Sequence, residues 1–472
     1  MTEVTPKRDR LILFRSGAFR VATLIGVLNQ LDLRGVTDFA GLLPRPSVDD
    51  DGPVEAVRGI LAEVESRGDE AVREFTSRFD GVDLGDLRVS AEEIQLALDS
   101  LAPELRTALE LARDRIADHH RSQLHAAVDH GSDGVHIRSY RTPVGRAGCY
   151  VPGGRAAYPS TLLMTAVPAL VAGVGEVVVC VPADKATGKV AAVTLAAAAL
   201  AGVAEVYAIG GAQAIAAMAY GTESIAAVDV ICGPGNKYVA IAKQQVAARV
   251  GVAAAFAGPS EVVVIADGSV PATFAAIDVI LQAEHGPDGL AWLITWDQSV
   301  AESVTSEVGR ITENSPRRAE ITATLAEGGY AVLVDSPEAA LQVSNLVAPE
   351  HLELLCHEAE SLLPLIENAG AVFVGPWSPA SVGDYVAGPS HVLPTFGTAR
   401  FASALTVDDF LKQHHIITVD ESAYDAGGLA GSVEVLADAE GLTAHADSIR
   451  VRAAARASGE FGSSTSESLG AL

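Results

Sequence analysis

The chain has 472 residues, enough for two or more domains with cores of their own, and its 49% hydrophobic and 20% charged composition is that of an ordinary globular protein. A formal net charge of −27 and a pI near 4.7 exclude a surface built to neutralise phosphates, so neither nucleic acid nor an anionic membrane is an expected partner. No run reaches the ~20 clean apolar residues of a membrane span, and Cys149, Cys180, Cys232 and Cys356 show no Cys-x-x-Cys spacing, which reads as buried, reduced thiols of a cytoplasmic protein.

Lys7, Arg8, Arg10, Arg15 and Arg20 precede the apolar run Val21 to Leu28, but no small-x-small cleavage site follows. Residues 1–30 are therefore expected to be a poorly ordered extension rather than a secretion signal. Pro53 opens a helical pattern through Val54, Val57, Ile60, Leu61 and Val64 that stops near Gly68, and a second helix is expected from about Ala102 to His119. Residues 31–140 thus read as a helical N-terminal region.

From Val144 the pattern alternates. Glu176 to Val181, Glu205 to Ile209 and Val228 to Cys232 read as strands, with helices at Lys189 to Leu200 and Ala212 to Tyr220. A second set follows: strands Val262 to Ala266, Ala291 to Trp296, Tyr330 to Val334 and Ala371 to Val374, with a helix from Pro271 to His285. Short buried strands separated by helices imply parallel sheets covered on both faces. The expected fold class is α/β, two doubly wound Rossmann-like units in series, 141–260 on the cofactor side and 261–378 with the metal and catalytic residues. A C-terminal region (379–456) and a Ser/Gly-rich, disordered tail (457–472) complete the chain.

Several polar motifs interrupt the apolar sequence of the second half. Gln282 and His285 stand three apart on the expected helix and project from nearly one face. On their own they fit a core-satisfied or helix-terminal pair as well as two metal ligands; the next candidates, Asp384 and His445, can join them only through the fold. Glu350 and His351 are adjacent, so both can face one cleft only from a loop or an element terminus. A histidine suits removal of an alcohol proton, and a shielded carboxylate suits activation of water. No Gly-x-Gly-x-x-Gly fingerprint is present. Instead Cys149-Tyr150-Val151-Pro152-Gly153-Gly154, Gly210-Gly211-Ala212-Gln213-Ala214 and Cys232-Gly233-Pro234-Gly235-Asn236-Lys237 offer flexible glycines near helix starts, which fit either a nucleotide or plain tight turns. His119, His120, His125, His130, His136, His414 and His415 have no spacing that forces a metal.

Taken together, Gln282-Ala283-Glu284-His285, Val347 to Leu354, Gly383-Asp384-Tyr385, Ser390-His391-Val392-Leu393-Pro394 and Glu440 to His445 resemble the histidinol dehydrogenase family, over about Leu31 to Arg452. The resemblance implies oxidation of L-histidinol to L-histidine through the aldehyde, with two NAD and one water. It implies one zinc per site, held by Gln282, His285, Asp384 and His445, with His445 reaching the site of the other subunit. A homodimer with shared active sites, built through a small C-terminal extension, then follows. Glu350 and His351 are implied as proton acceptors, and Tyr150, Gln213 and Asn236 as cofactor contacts. Ser260 and Glu440 join Gln282, His285, His351, Asp384 and His445 around the substrate, and His391 is a supporting contact. Ser390 stands where the family usually has asparagine, and the loop around Ala183 to Lys189 also departs from its pattern. Two alternatives remain: a paralogue acting on another primary alcohol such as sulfopropanediol, and a zinc-stabilised binding protein without chemistry.

Overall fold

The structure, a computed structural model, describes residues 21–22, 27–44, 53–153, 156–253, 260–284, 289–424 and 428–459. It falls into two compact units, the first formed by Met1–Gln123 with Val144–Phe410, the second by Leu124–Pro143 with Leu411–Leu472. No described helix is long and apolar enough to cross a membrane.

A short strand β1 (Val21–Ala22) pairs antiparallel with β2 (Asn29–Asp32). Four helices follow: α1 (Val54–Arg67), α2 (Asp69–Asp80), α3 (Ala91–Asp99) and α4 (Pro103–Arg121). In α1 the buried residues Val57, Ile60, Leu61 and Val64 recur at helical spacing, and Gly68 closes the helix at φ 55°. Strands β3 (Val128–Ser132) and β4 (Val135–Pro143) belong to the second unit.

The first sheet contains β5 (Arg146–Tyr150), β6 (Glu176–Cys180), β7 (Glu205–Tyr207), β8 (Val230–Cys232) and β9 (Gly251–Val252), all parallel in the order β7-β6-β5-β8-β9. Its intervening helices are α5 (Pro159–Val171), α6 (Ala192–Ala201), α7 (Gly211–Tyr220) and α8 (Lys237–Val246). Val178, Cys180, Tyr207 and Ile231 pack under α7 and α8, and α1 and α2 cover those helices in turn. On the far side α3 packs on α6 and α4 on α5. The N-terminal helices therefore wrap the first sheet.

The second sheet repeats the same strand order. Along the chain come β10 (Glu261–Ala266), α9 (Ala272–Ala283), β11 (Leu290–Thr295), α10 (Gln298–Asn314), α11 (Arg318–Gly328), β12 (Gly329–Leu333), α12 (Pro337–Val347), β13 (His351–Leu355), α13 (Ala359–Leu362), β14 (Ala371–Val374) and α14 (Ala380–Tyr385). The strands run β1-β2-β12-β11-β10-β13-β14, parallel except for β1. Alternate residues of β10 serve opposite cores: Val262 and Val264 pack with the α9–α11 side, Val263 and Ile265 with α12 and α13. Burial on both faces is why these strands read as unbroken apolar runs.

In the second unit β15 (Leu411–Val419) pairs antiparallel with β4, giving the order β15-β4-β3, and α15 (Leu429–Ala439) packs on α16 (Thr443–Ser458). Arg450 on α16 bonds Glu434 and Asp438 of α15 and its own neighbour Asp447.

Three expectations change. Within the N-terminal extension, residues 1–20 and 23–26 lie outside the described residues, but the apolar run contributes β1 and the fully buried Leu28 to the second sheet and its core. The stretch expected to be helical to residue 140 includes the β3–β4 hairpin; β3 is exposed throughout, so it lacks the alternation that marks a strand. The C-terminal region divides at Phe410, leaving Asp384 in the first unit and Glu440 and His445 in the second.

Ile265 is fully buried at the centre of the second sheet. Ile265→Ala should cost about 2–5 kcal/mol in chemical denaturation; a loss well below that range would mean the site can collapse around the cavity.

Candidate active site

Parallel strands have distinct ends, and the two sheets use opposite ones. Tyr150 ends β5, Gly210 and Gly211 open α7 after β7, and Asn236 caps α8 after β8, all at the carboxyl ends of the first sheet. Ser260 precedes β10, and His351 begins β13, at the amino ends of the second. Helix α9 runs back from the far end, so Gln282, near its C-terminus, returns to that same amino edge. The chain from Ala253, beyond β9, to Ser260 spans at most ~25 Å when extended, which keeps the two ends close.

The adjacent Glu350 and His351 are placed by a strained turn. Ala348 ends α12 at φ 49°, a left-handed conformation unusual for a residue with Cβ, and Pro349 prevents the helix from continuing. Both side chains are buried. His351 Nε2 lies 3.4 Å from Asp384 Oδ1, and His351 Nδ1 lies 3.9 Å from Glu350 Oε2. Phe373 stacks on the imidazole at a centroid distance of 5.9 Å. Glu350 Oε2 accepts from the Glu261 N–H at 3.3 Å, and the Ser260 hydroxyl acts on the same carboxylate to favour its charged form.

Burial is the largest influence on Glu350 and raises its pKa; His351, Ser260 and the Glu261 N–H pull it back, and Asp384 adds to the rise. For His351 burial is again the largest single influence and works against the charged ring, but Glu350 and Asp384 together outweigh it, so its pKa is raised. The arrangement is a buried imidazole between two carboxylates, able to receive a proton on either side.

Asp384 is carried by the short helix α14. A Cβ on Gly383 would stand 2.6 Å from the Phe373 ring, so only glycine lets the helix approach this closely. His391 accounts for its own conspicuous motif: Nδ1 meets the Asp384 carbonyl at 2.9 Å and Nε2 meets Thr161 Oγ1 on α5 at 3.0 Å. Ser390 is buried and donates to the Met164 carbonyl at 3.0 Å.

At the first sheet Tyr150 is buried, with its pKa raised chiefly by burial, and its hydroxyl accepts from the Gly211 N–H at 3.1 Å. Gln213 is 1% exposed, its Oε1 receives no hydrogen bond among the described residues, and its Nε2 lies 3.5 Å from Asp80 Oδ2. Asn236 Oδ1 accepts from the N–H groups of Tyr238 and Val239, which leaves its amide nitrogen facing outward as α8 begins. A cavity of about 160 Å³ opens at the ends of β5 and β6, lined by Pro152, Gly153, Ala157, Pro182, Asp184 and Thr194.

His285 lies outside the described residues. Glu440 caps the C-terminus of α15 and His445 is the third residue of α16, both exposed in the second unit. Among the described residues no three His, Cys, Asp or Glu side chains gather as a metal cluster. His414 bonds Thr142 and His415 bonds Ser139 within the β4–β15 pair. The four cysteines are free and buried.

The histidinol dehydrogenase family model matches residues 43–453. A histidinol dehydrogenase of Moorella thermoacetica is 48% identical over 405 residues, 85% of this chain and 95% of its own. One of Pseudomonas aeruginosa is 46% identical over 416 residues, 87% and 93% of the two chains. The crystal structure of histidinol dehydrogenase from Elizabethkingia anophelis is similar with a TM-score of 0.87 and 34% identity, covering 92% of this chain and 99% of that one. The chain belongs to the histidinol dehydrogenase family.

Beyond the motifs stand residues that sequence reasoning passed over. Glu353 is fully buried on β13, its Oε1 accepts from the Ala380 N–H at 3.0 Å, its Oε2 receives no hydrogen bond among the described residues, and its carboxyl interacts electrostatically with Asp278 on α9. Burial first, then Asp278, pushes its pKa up to about 9. Lys243 on α8 is 2% exposed and donates to the Gly233 carbonyl. Gly233 itself sits at φ 102°, where a Cβ would meet the Tyr150 carbonyl at 2.0 Å. The spacing of Val239, Lys243 and Val246 already set this lysine on the apolar face of its helix.

Burial pushes the Lys243 ammonium down to about 8. Between that pH and roughly 10.4, where a free lysine titrates, the unfolded chain holds the proton that the folded chain has lost. Stability from this group therefore rises with pH across that window. Thermal unfolding of the wild type should improve relative to Lys243→Met from roughly pH 8 to pH 10; a constant difference would contradict the depressed lysine.

Proposed function

We propose that this protein oxidises L-histidinol to L-histidine through the aldehyde, using two NAD and one water, as a cytoplasmic homodimer with one zinc per site. The observation that carries the reading is the buried Glu350–His351 pair with the partly buried Asp384 beside it and Ser260 at hand, in a chain of this family. We read the two sheets as doubly wound Rossmann-like units, the first for the dinucleotide and the second for the metal and acid-base residues.

The residues fit both groups. Gln282 and Asp384 offer oxygen donors, His285 and His445 imidazole nitrogens, a set zinc accepts. Asp384 raises the cost of charge on Glu350, which a bound cation would offset. For the nucleotide, Tyr150, Gln213 and Asn236 flank the cavity end of the first sheet, where the N-termini of α7 and α8 favour an anionic pyrophosphate. When bound, NAD would accept the hydride of each oxidation, and zinc would hold the amine and imidazole of the substrate.

The remaining work falls to the chain. His351 removes the hydroxyl proton as the alcohol is oxidised, its charged form supported by the two carboxylates. Glu350 takes a proton from the water that adds to the aldehyde. Ser260 and the Glu261 N–H orient that carboxylate. Glu440 would pair with the protonated amine of substrate. Exposure of Glu440 and His445, beside the exposed apolar Ile416, Ile417, Val435, Leu436 and Leu442, supports a second unit that is covered by a partner subunit and completes its site.

Two NADH should form per histidinol consumed, with little or none from sulfopropanediol. Glu350→Gln should impair oxidation of supplied aldehyde more than of alcohol, and His351→Asn the reverse. Equal losses in both half-reactions for both variants would contradict these roles. Asp384→Ala and His285→Ala should lose zinc and activity together while His414→Ala changes little, as metal analysis would show.

Mixing inactive His445→Ala and His351→Asn subunits should restore activity, to ~25% of wild type for random exchange in a two-site dimer. No recovery despite demonstrated exchange would rule out a shared site.

A further inference from the structure

Beneath the residues assigned above lies a second pair of carboxyl groups that the proposed chemistry does not use. Glu353 is 0% exposed and Asp278 6% exposed, and Glu353 Oε2 receives no hydrogen bond among the described residues. Their places in the fold are informative. Glu353 is two residues after His351 on β13, so the two side chains leave the same face of the strand. Asp278 is four residues before Gln282 on α9, one turn away on the same face of the helix. Glu353 Oε1 also accepts the N–H of Ala380, the first residue of the helix that carries Asp384.

We propose that Glu353 and Asp278 form a hydrogen-bonded carboxyl pair that braces α9, β13 and α14 against one another and so positions Gln282, His351 and Asp384 without touching substrate. Burial disfavours charge on both acids, and each acts on the other, so one proton is held between them. That proton turns repulsion into a hydrogen bond from Glu353 to Asp278, while the other Glu353 oxygen keeps the Ala380 N–H. One side chain thereby ties together three separate elements. Apolar residues of similar volume would fill this space without the desolvation cost of two acids, so the pair is explained by the geometry it imposes. Both acids are positioning residues.

The proposal rests on the metal and acid-base assignment above, and its test separates the two. Glu353→Gln keeps an oxygen for Ala380 and an N–H for Asp278, so zinc affinity and kcat/KM for histidinol should stay close to wild type. Glu353→Leu keeps volume but loses both bonds. It should lower zinc affinity, kcat/KM or both by roughly 10–100-fold, as for other groups that orient metal ligands. Asp278→Leu, on the more tolerant helix, should do the same and serves if Glu353→Leu does not fold. Folded leucine variants that merely melt earlier, with zinc affinity and kcat/KM unchanged, would show a purely structural pair and overturn the brace. Asp384→Ala is the control. If it retains zinc, the metal assignment fails, and the brace then stands or falls on kcat/KM, which leucine must lower and glutamine preserve.

Discussion

The candidate site depends on two parallel sheets meeting end to end, the carboxyl edge of the first against the amino edge of the second. A continuous set of contacts crosses that junction: Thr161 on α5 to His391, His391 to the Asp384 carbonyl, and Asp384 to His351. The polarity of the elements then differs on the two sides. The first sheet presents helix N-termini, whose partial positive charge suits phosphate. The second presents the C-termini of α9 and α12, whose partial negative charge suits a cation or a protonated imidazole. The same strand order, read from opposite ends, thus supplies two complementary electrostatic environments.

Concentrating acids at the second edge has a cost that the structure offsets locally. Glu350 is supported by Ser260 and the Glu261 N–H, Asp384 by the nearby His351, and Glu353 by Ala380 and a proton. Backbone conformation is committed to the same purpose. Ala348 accepts a left-handed turn so that Glu350 and His351 enter the strand pointing into the site, and Gly383 gives up its side chain so that Phe373 can pack against the imidazole.

Much of this was legible in the sequence because the strands are buried on both faces and the helices between them are long. The runs at Val262 to Ala266 and Ala291 to Trp296 lie where β10 and β11 form. The β3–β4 hairpin was not legible, because exposed strands carry no alternation to read. Contacts between distant segments were equally hidden. Nothing about Asp80 or Asp278 in its own helix announces a carboxylate near Gln213 or Glu353. Glu353 did leave a trace, since an acid inside Leu352-Glu353-Leu354 must find a partner within the fold.

The chain order of the second unit bears on how the protein comes into being. Strand β4 emerges before the first large sheet and before all of the second except β1 and β2, yet the strand it pairs with along its full length, β15, runs from Leu411, which lies opposite Pro143, to Val419, opposite Val135. During synthesis β4 must therefore wait for nearly the whole of the first unit before its long-range partner exists. The two large sheets can mature while the ribosome is still working, whereas the second unit is a late, high-contact-order assembly. Nascent chains released early would carry finished sheets and an unpaired strand edge, the kind of surface on which quality control and aggregation compete.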